Sequence, residues 1–222
     1  MSDHDHDHDH DHDHDHDHDH DHDHDHDHDH DHDHDHDEHE HDHEHDEQRA
    51  ERLARRRVAL AQVRQYGDPV LRMRAGEVEE FDEELARLAE RMIGVMHDAD
   101  GVGLAATQVG VLRRLFVFND QGDDRVLVNP VLTKVSKKTE VDDEGCLSLG
   151  PVRMPVERPV EVTLDGVDQY GEAVHLELDD LSARVVQHEL DHLDGRLIID
   201  RTDPESRREA MAQLRPRLIL SR

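Results

Sequence analysis

The amino-acid sequence predicts an α+β domain in which mixed or antiparallel strands pack around a central helix. Three observations support this fold class. Helical patterns and β-rich runs do not alternate regularly along the chain, as they would in a doubly wound sheet. Gly, Asp and Asn residues separate the β-rich runs as turn signals. Residues 48–222 have ordinary single-domain size, so they can bury a core without disulfides.

Residues 1–47 are an Asp/His-rich low-complexity tail. They hold 24 of the 57 acidic residues, 21 of the 25 histidines and none of the 26 Lys and Arg, so the tail carries −24 and the remainder −7. The tail has no apolar groups to bury, which predicts disorder. Two interpretations of its role stay open. It is either a tolerated, soluble repeat expansion or a collector that binds extra metal ions at many overlapping positions.

After the tail, residues 48–64 are predicted to form a basic helical linker and residues 65–222 the folded domain. At the start of this domain, "QYGDPVLRMRAG" at 65–76 predicts a turn that leads into extended chain. A long helix should follow, with Asp82 as its N-cap and a break near Asp100. Its apolar residues recur at helical spacing, namely Leu85, Leu88, Met92, Ile93 and Met96.

Four β-rich runs follow this helix and predict strands. They read "RRLFVFND", "RVLVNPVL", "VEVTLDG" and "VHLELDD". In the last run, His175 and Glu177 alternate with apolar residues. We therefore expect His175 to face solvent and to bind no metal.

Two further helices are predicted in the C-terminal part. The first runs from Asp180 or Ser182 to Gly195, a suitable C-terminal residue. It should be buried on both sides, because its apolar stripe lies on a different side from its histidines. The stripe consists of Val186, Leu190 and Leu193. The second helix is exposed and begins with Asp203 as N-cap and Pro204 in its first turn.

The cysteine count and the charge restrict compartment and partners. A single cysteine cannot form an intrachain disulfide, which fits a reducing compartment. No apolar run reaches the roughly 18 residues of a membrane span, and the N-terminus lacks a signal peptide's apolar stretch. We therefore expect a cytoplasmic protein without membrane contact. Negative charge in both parts argues against a general or specific nucleic-acid binder.

The stretch "QHELDHLDG" at 187–195 carries the central functional pattern. On a helix, His188 and His192 lie about 40° apart around the axis, so both imidazoles can reach one metal ion. Glu189 lies too far round to be the obvious third ligand, but it reaches a water at the metal and can act as general base. The spacing also fits two core histidines with hydrogen-bond partners, and that alternative stays open.

A third ligand should come from another rigid segment. Cys146 in "EGCLS" is the candidate, because a metal deprotonates a thiol and gives a lone cysteine a function. The alternative is that Cys146 is a small buried core residue. His97 in "MHDADG" is the other candidate ligand, although its place at a helix end is typical of a surface or capping residue.

The stretch "GVGLAATQ" at 101–108 predicts a place where another backbone approaches. Two glycines flank Val102 and permit the pairing of an extended peptide. The segment lacks the spacing and the Lys-Ser/Thr ending of a phosphate loop, which excludes that interpretation. The amide of Gln108 can stabilise negative charge on a substrate oxygen. Taken alone, the segment also fits an ordinary turn.

These three motifs, in this order, resemble those of the peptide deformylase family, and the likeness extends from about Gln65 to Ile199. The resemblance implies removal of the formyl group from the N-terminal formyl-methionine of nascent polypeptides, with formate as product. It implies one divalent metal on Cys146, His188 and His192, with water in the fourth position. Fe²⁺ would be preferred, and Ni²⁺, Co²⁺ or Zn²⁺ could replace it.

The resemblance also implies the remaining roles. Glu189 would be the general base, and Gln108 with the backbone N–H of Leu147 would form the oxyanion hole. The nascent peptide and its methionine side chain would be held by Val102, Gly103, Glu144, Arg153, Leu181 and Val185. A transient ribosome contact is implied as well, and the locally basic C-terminus "RREAMAQLRPRLILSR" offers a surface for it.

Two alternative functions remain at this point. A zinc peptidase shares the His-Glu-x-x-His pattern, but its third ligand is usually a downstream His or Glu rather than an upstream Cys. A metal-buffering protein with an inactive deformylase-like domain would explain the tail. The intact catalytic residues argue against it.

Overall fold

The computed structural model describes the backbone of residues 37–214 and the side-chain surroundings of residues 46–214. The chain divides into two units, Met1–His41 and Asp42–Arg222, and every element from the second helix onward belongs to the second unit. The predicted disorder before Asp37 and the basic segment after Leu214 lie outside the described residues. No helix in the described part is long and apolar enough to cross a lipid bilayer.

Helices and strands are mixed along the chain. The helices are α1 (Asp37–Gln62), α2 (Glu83–Asp98), α3 (Asp180–Leu193) and α4 (Pro204–Leu214). The strands are β1 (Gly103–Ala105), β2 (Leu115–Asp120), β3 (Asp123–Val135), β4 (Thr139–Gly145), β5 (Arg153–Pro159), β6 (Glu161–Val167) and β7 (Ala173–Asp179). Short 3-10 helices lie at Pro69–Arg72, Ala106–Val109, Leu147–Leu149 and Ile198–Asp200.

The strands form two antiparallel sheets. Five strands pair in the order β1-β2-β3-β6-β7, and β4 pairs with β5 in a separate two-stranded sheet. The short strand β1 lies at one edge of the large sheet, with Gly103 opposite Phe118 and Ala105 opposite Phe116. This topology confirms the predicted α+β class.

Helix α2 covers one face of the large sheet. It begins where predicted, because a side-chain oxygen of Asp82 accepts a hydrogen bond from the N–H of Leu85 at 2.9 Å. Its buried residues are Leu85, Ala89, Met92, Val95 and Met96. All of them except Ala89 share a core cluster with Leu115 and Val117 of β2. Because side chains alternate along a strand, the intervening residues of β2 face the other side.

Helix α3 packs on that other side and is the central helix of the domain. Its apolar residues join Phe116 and Phe118 in a second core cluster. A third cluster holds Cys146 with residues of β5 and the 3-10 helix Ile198–Asp200. The helix ends close to the predicted position, and Gly195 follows in the left-handed region at φ 72°. An added Cβ there would lie 2.7 Å from the carbonyl oxygen of Arg72, so this position requires glycine.

Other predicted elements are confirmed. Residues 48–62 are helical, as predicted, and form the C-terminal part of α1. This helix already begins at Asp37, so its first residues belong to the tail that was predicted to be disordered. Helix α4 begins at Pro204, and the carboxylate of Asp203 accepts from the N–H groups of Glu205 and Ser206. His175 has a side chain that is 63% exposed and binds Asp165, in agreement with a solvent-facing position.

Two expectations were wrong or incomplete. The chain predicted to extend after the turn at Gly67 first forms a 3-10 helix, Pro69–Arg72, because Asp68 accepts from the N–H of Val70 at 3.0 Å and Pro69 presets the first turn. It becomes extended only from Met73, and Gly76 pairs with Arg113. Strands β1, β4 and β5 were not predicted. β4 reads "TEVDDEG" and is exposed as far as Asp143, so it has no alternating apolar pattern, and pairing with β5 forms it.

Candidate metal centre and its cleft

Two histidines lie one turn apart on the same face of α3. The Nε2 atoms of His188 and His192 are 3.2 Å apart, and the ring centroids are 5.0 Å apart. His192 is buried and His188 is partly buried. The helical spacing seen in the sequence therefore does bring both imidazole nitrogens to one place, as predicted.

The end of β4 places Cys146 beside these histidines. The 3-10 helix Leu147–Leu149 follows directly, and the N–H of Leu149 donates to the carbonyl of Cys146 at 2.9 Å. The Sγ atom lies 3.2 Å from Nε2 of His192, and the ligand atoms of all three residues lie within 4.8 Å of one another. One thiol and two imidazoles at these separations fit a divalent transition metal with bonds of about 2.0–2.3 Å.

Glu189 is buried next to this cluster, with 3% of its surface exposed. Its Oε2 atom makes no hydrogen bond to any described residue. Burial raises the pKa of this carboxyl to about 7, against the opposing effect of His188. A buried carboxyl oxygen without a partner costs free energy, so its presence in a cleft indicates a chemical role.

The backbone of β1 passes close to this carboxylate at Gly103. A Cβ added at Gly103 would overlap Oε1 of Glu189 and lie 2.9 Å from Cγ1 of Val185. A larger residue here would therefore force the side chains of Glu189 and Val185 to move, although the position has ordinary strand geometry. The missing side chain lets the edge of the large sheet form one wall of the cleft.

Glu144 lies in the wall of the same cleft, but its carboxylate is engaged by protein groups. Oε2 lies 3.0 Å from Nδ1 of His188, and Arg158 donates to both carboxylate oxygens at 2.9 and 3.0 Å. Arg184 donates to Oε1 at 2.9 Å. Burial opposes ionisation, yet the hydrogen bonds from His188 and Arg158 hold the pKa of Glu144 at about 2. The carboxylate is therefore an acceptor, and Nδ1 of His188 is the donor.

The two histidines experience different surroundings. Burial lowers the pKa of His192, and the neighbouring His188 adds to this effect. For His188, hydrogen bonds to Cys146 and Glu144 outweigh burial and raise the pKa. Nδ1 of His192 has no partner among the described residues. Only one of the two rings is thus oriented by a carboxylate.

Gln108 is held in a defined orientation beside Cys146. Its Oε1 accepts from the N–H of Ala105 at 2.9 Å, which leaves Nε2 as the donor on the cleft side. Nε2 donates to Oγ of Ser148 at 3.1 Å and lies 3.6 Å from Sγ of Cys146. The N–H of Leu147 opens the next 3-10 helix, where such groups have no partner within the helix. Two donors therefore lie next to the candidate ligand Cys146.

A cleft of about 440 Å³ surrounds these groups, between β1 and the end of β4. Its lining includes every residue predicted to hold substrate: Val102, Gly103, Glu144, Arg153, Leu181 and Val185. Val102 and Leu181 are exposed at the rim, whereas Val185 is buried. A larger cavity of about 520 Å³ on another side of α3 contains none of the predicted metal or catalytic residues.

The structure separates the remaining candidate from the cluster. His97 is exposed and binds Asp124 at 2.7 Å, so it lies outside the metal-ligand group. Two further charged residues, Arg158 and Asp191, are buried near the candidate ligands and were not predicted. Asp191 could have been noticed, because it directly precedes His192. No sequence pattern marked Arg158, since its role depends on the pairing of β4 with β5.

The arrangement combines three atoms that could bind one metal ion, a carboxyl with a pKa near neutrality and two donors in a cleft open at a strand edge. A carboxyl of this kind can exchange protons at neutral pH. The donors can stabilise negative charge on an oxygen. The edge strand can pair with an extended chain. Together these features can support hydrolysis of an amide-type bond in a peptide.

Comparison with known proteins supports this interpretation. The sequence model of the polypeptide deformylase family matches residues 60–208. A peptide deformylase of Acidothermus cellulolyticus is 49% identical over 158 residues, which covers 71% of this chain and 87% of that protein. Peptide deformylase 1 of Corynebacterium efficiens is 48% identical over 157 residues, 69% of this chain and 93% of that protein.

Solved structures give the same result. The peptide deformylase of Thermotoga maritima is similar with a TM-score of 0.63 and 46% identity, over 64% of this chain and 97% of that one. Deformylase 1B of Arabidopsis thaliana, in complex with an inhibitor, is similar with a TM-score of 0.66 and 40% identity, over 68% of this chain and 87% of that one. The matched part of the chain includes all three sequence motifs.

Proposed function

The chain belongs to the peptide deformylase family, and we propose that Cys146, His188 and His192 hold the metal ion on which this family depends. The protein is a hydrolase that removes the formyl group from the N-terminus of newly made polypeptides and releases formate. Neither a zinc peptidase nor an inactive metal buffer is favoured by the family match.

One observation carries the proposed ligand assignment. Cys146 follows β4 directly and precedes His188 and His192 of α3 by 42 and 46 residues, yet the ligand atoms of all three lie within 4.8 Å of one another. Cys146 forms no disulfide, and although it packs in the third apolar cluster, neither His188 nor His192 belongs to that cluster. We assign Fe²⁺ as the ion, with Ni²⁺, Co²⁺ or Zn²⁺ as substitutes, since one thiolate and two imidazoles suit each of these metals.

When bound, the metal supplies Lewis-acid chemistry that makes water a nucleophile near neutral pH. The protein's own groups do the rest. Glu189 accepts a proton from the attacking water and passes it to the leaving amine, a role that its pKa of about 7 permits. Nε2 of Gln108 and the N–H of Leu147 donate to the oxygen that becomes negative as the formyl carbon is attacked.

The substrate is held by the walls of the cleft. The backbone at Val102 and Gly103 lies at a sheet edge and pairs with the extended peptide. Leu181 and Val185 offer apolar surface for the methionine side chain. Arg153 donates to the carbonyl of Asp143 at 2.7 Å and lies where its guanidinium can also reach the peptide. Glu144 contributes to this wall through its ion pairs.

The first test replaces Glu189 with Ala and measures formate release from formyl-Met-Ala-Ser. We expect turnover to fall about 10²- to 10⁴-fold, as for loss of a general base, while the metal stays bound. Near-normal turnover with metal bound would refute the proposed role. Cleavage of the unformylated peptide is the control, because a peptidase would cleave it and a deformylase leaves it intact.

The tail and the partners form a second part of the proposal. We propose that residues 1–47 bind additional metal ions, because their 21 histidines and 24 carboxylates are metal ligands. The test removes these residues and measures metal loading of the remainder when metal is limiting, and unchanged loading would contradict the proposal.

We further propose that the enzyme works in the cytoplasm and contacts the ribosome transiently, since newly made chains are its substrates.

A further inference from the structure

A buried network of charged side chains lies beneath the metal centre. The side chains of Arg158 and Glu144 are each 4% exposed, and that of Asp191 is 7% exposed. Arg201, which is 39% exposed, pairs with Asp191 from the solvent side. Charges buried to this extent persist only when they are paired and hydrogen-bonded. The network therefore links groups that depend on one another.

The guanidinium of Arg158 stands at the middle of this network. Its Nε and Nη2 donate to the two oxygens of Glu144 at 2.9 and 3.0 Å. Its Nη1 donates to Oδ2 of Asp191 at 2.6 Å. A guanidinium is planar, so a two-bond contact with one carboxylate fixes its orientation and thereby the direction of its remaining N–H groups. The two carboxylates are held at a set separation.

The two carboxylates belong to the two segments that carry the metal ligands. Glu144 is two residues before Cys146 on β4. Asp191 directly precedes His192 on α3. The guanidinium of Arg158, from β5, thus joins the strand that positions the sulfur to the helix that positions the imidazoles. A shift of one segment against the other would break at least one of its hydrogen bonds.

The same network determines which nitrogen of His188 carries the proton. Both oxygens of Glu144 face guanidinium groups, from Arg158 and from Arg184. A carboxylate in such a position only accepts hydrogen bonds, so Nδ1 of His188 donates to it at 3.0 Å. In the neutral ring, Nε2 then keeps its lone pair on the side of the metal ligands.

We infer that Arg158 is a positioning residue of the metal centre, which holds Cys146 and the histidines of α3 in register and fixes the His188 tautomer through Glu144. Arg158 belongs neither to the three candidate ligands nor to the residues that line the cleft. The inference rests on the proposed assignment of Cys146, His188 and His192 as ligands. It adds that metal affinity depends on a residue outside the three motifs that identify the family.

The test replaces Arg158 with Lys in the full chain and titrates the metal-free protein with Co²⁺. A lysine keeps the positive charge but loses the two-bond contact. The chain has a single cysteine, so a thiolate-to-Co²⁺ charge-transfer band reports on the Cys146 site alone and ignores ions on the tail. The matched control is Arg114→Lys. Arg114 is 11% exposed and donates to Asp194 after the end of α3, and it bonds neither Glu144 nor Asp191.

We expect Arg158→Lys to raise the dissociation constant for Co²⁺ about 10- to 100-fold, as loss of an orienting group beside metal ligands does. The band should also shift, because the sulfur and nitrogen positions change. Arg114→Lys should follow the wild-type titration. Wild-type affinity and an unshifted band in a folded Arg158→Lys protein would overturn the inference. If wild type itself shows no such band, the ligand assignment fails instead.

A second variant covers the case in which Arg158→Lys does not fold. Asp191→Asn leaves Arg158 on Glu144 but weakens its link to α3. We expect a smaller loss of Co²⁺ affinity in the same direction, with the thermal unfolding temperature of the metal-free protein measured in parallel. A wild-type titration curve for Asp191→Asn would overturn the inference, and a weakened one would support it.

Discussion

Two histidine–carboxylate pairs in this protein have the same chemistry and opposite surroundings. His188 binds Glu144 at 3.0 Å beneath the cleft, where the carboxylate is 4% exposed. His175 binds Asp165 on the outside of the large sheet, where the two side chains are 63% and 44% exposed. The buried pair is held by guanidiniums and orients a proposed ligand, whereas water competes for the exposed pair. The difference shows that burial and neighbours, rather than the pair itself, determine function.

The largest expected effect comes from breaking the buried pair with Glu144→Ala. Arg158 and Arg184 would lose their shared carboxylate, and Arg158 would keep an incompletely paired charge inside the protein. Breaking a buried ion pair from one side costs about 3–5 kcal/mol, so we expect a loss of that size in the free energy of unfolding. Urea unfolding of the metal-free protein measures it. A loss below about 1 kcal/mol would contradict the account.

A smaller effect is expected from Gly103→Ala, which tests how tightly the cleft is packed. The new methyl group would displace the Glu189 carboxylate. A misplacement of about 1 Å can cost about 10²-fold in rate, so we expect formate release to fall by about that factor with metal still bound. Gly94→Ala is the matched control, since a Cβ there meets nothing within 4 Å and helix α2 gains from alanine. Equal activity of both variants would show that Glu189 tolerates the change.

The carboxylate of Asp200 is more exposed than that of the buried pair and less exposed than that of the outer pair, and its contribution to stability should depend on pH. Although burial opposes ionisation, Arg72 and the N–H of Leu197 lower the pKa of Asp200 from its usual 3.8. A lowered pKa stabilises the fold above 3.8, and this contribution disappears as pH falls through the folded value. Because both partners are partly exposed, we expect Asp200→Asn to cost only about 1 kcal/mol at pH 7. The difference in free energy of unfolding between the variant and wild type, measured with urea, should become smaller below about pH 4. A difference that grows there would contradict the prediction.

The smallest effect is expected at the exposed pair. His175→Ala removes a ring that is 63% exposed from the surface of β7. We expect no measurable change in thermal unfolding temperature, in Co²⁺ affinity or in formate release, because exposed ion pairs contribute little. A loss in any of the three would mean that the outer face of the sheet has a role that its exposure does not reveal.

The sequence predicted those features that depend on local periodicity. Helix α2 begins at its predicted N-cap, Asp82, because capping involves residues three positions apart. The histidines of α3 converge because four residues make about one helical turn. The resemblance of the motifs implied Cys146 as the third ligand, and the structure places its sulfur beside them. Strands β1, β4 and β5 were missed, since backbone pairing with distant partners forms them.

By itself, the sequence determined the family, the candidate ligand types and the spacing of the two histidines. These properties are carried by short motifs whose geometry follows from helix periodicity and from the chemistry of thiol and imidazole groups. Only the tertiary structure decided that Gly103 must lack a side chain beside Glu189, and that Arg158 joins the two ligand-bearing segments. Such contacts connect residues far apart in the chain, and their strength depends on burial, which no local pattern specifies.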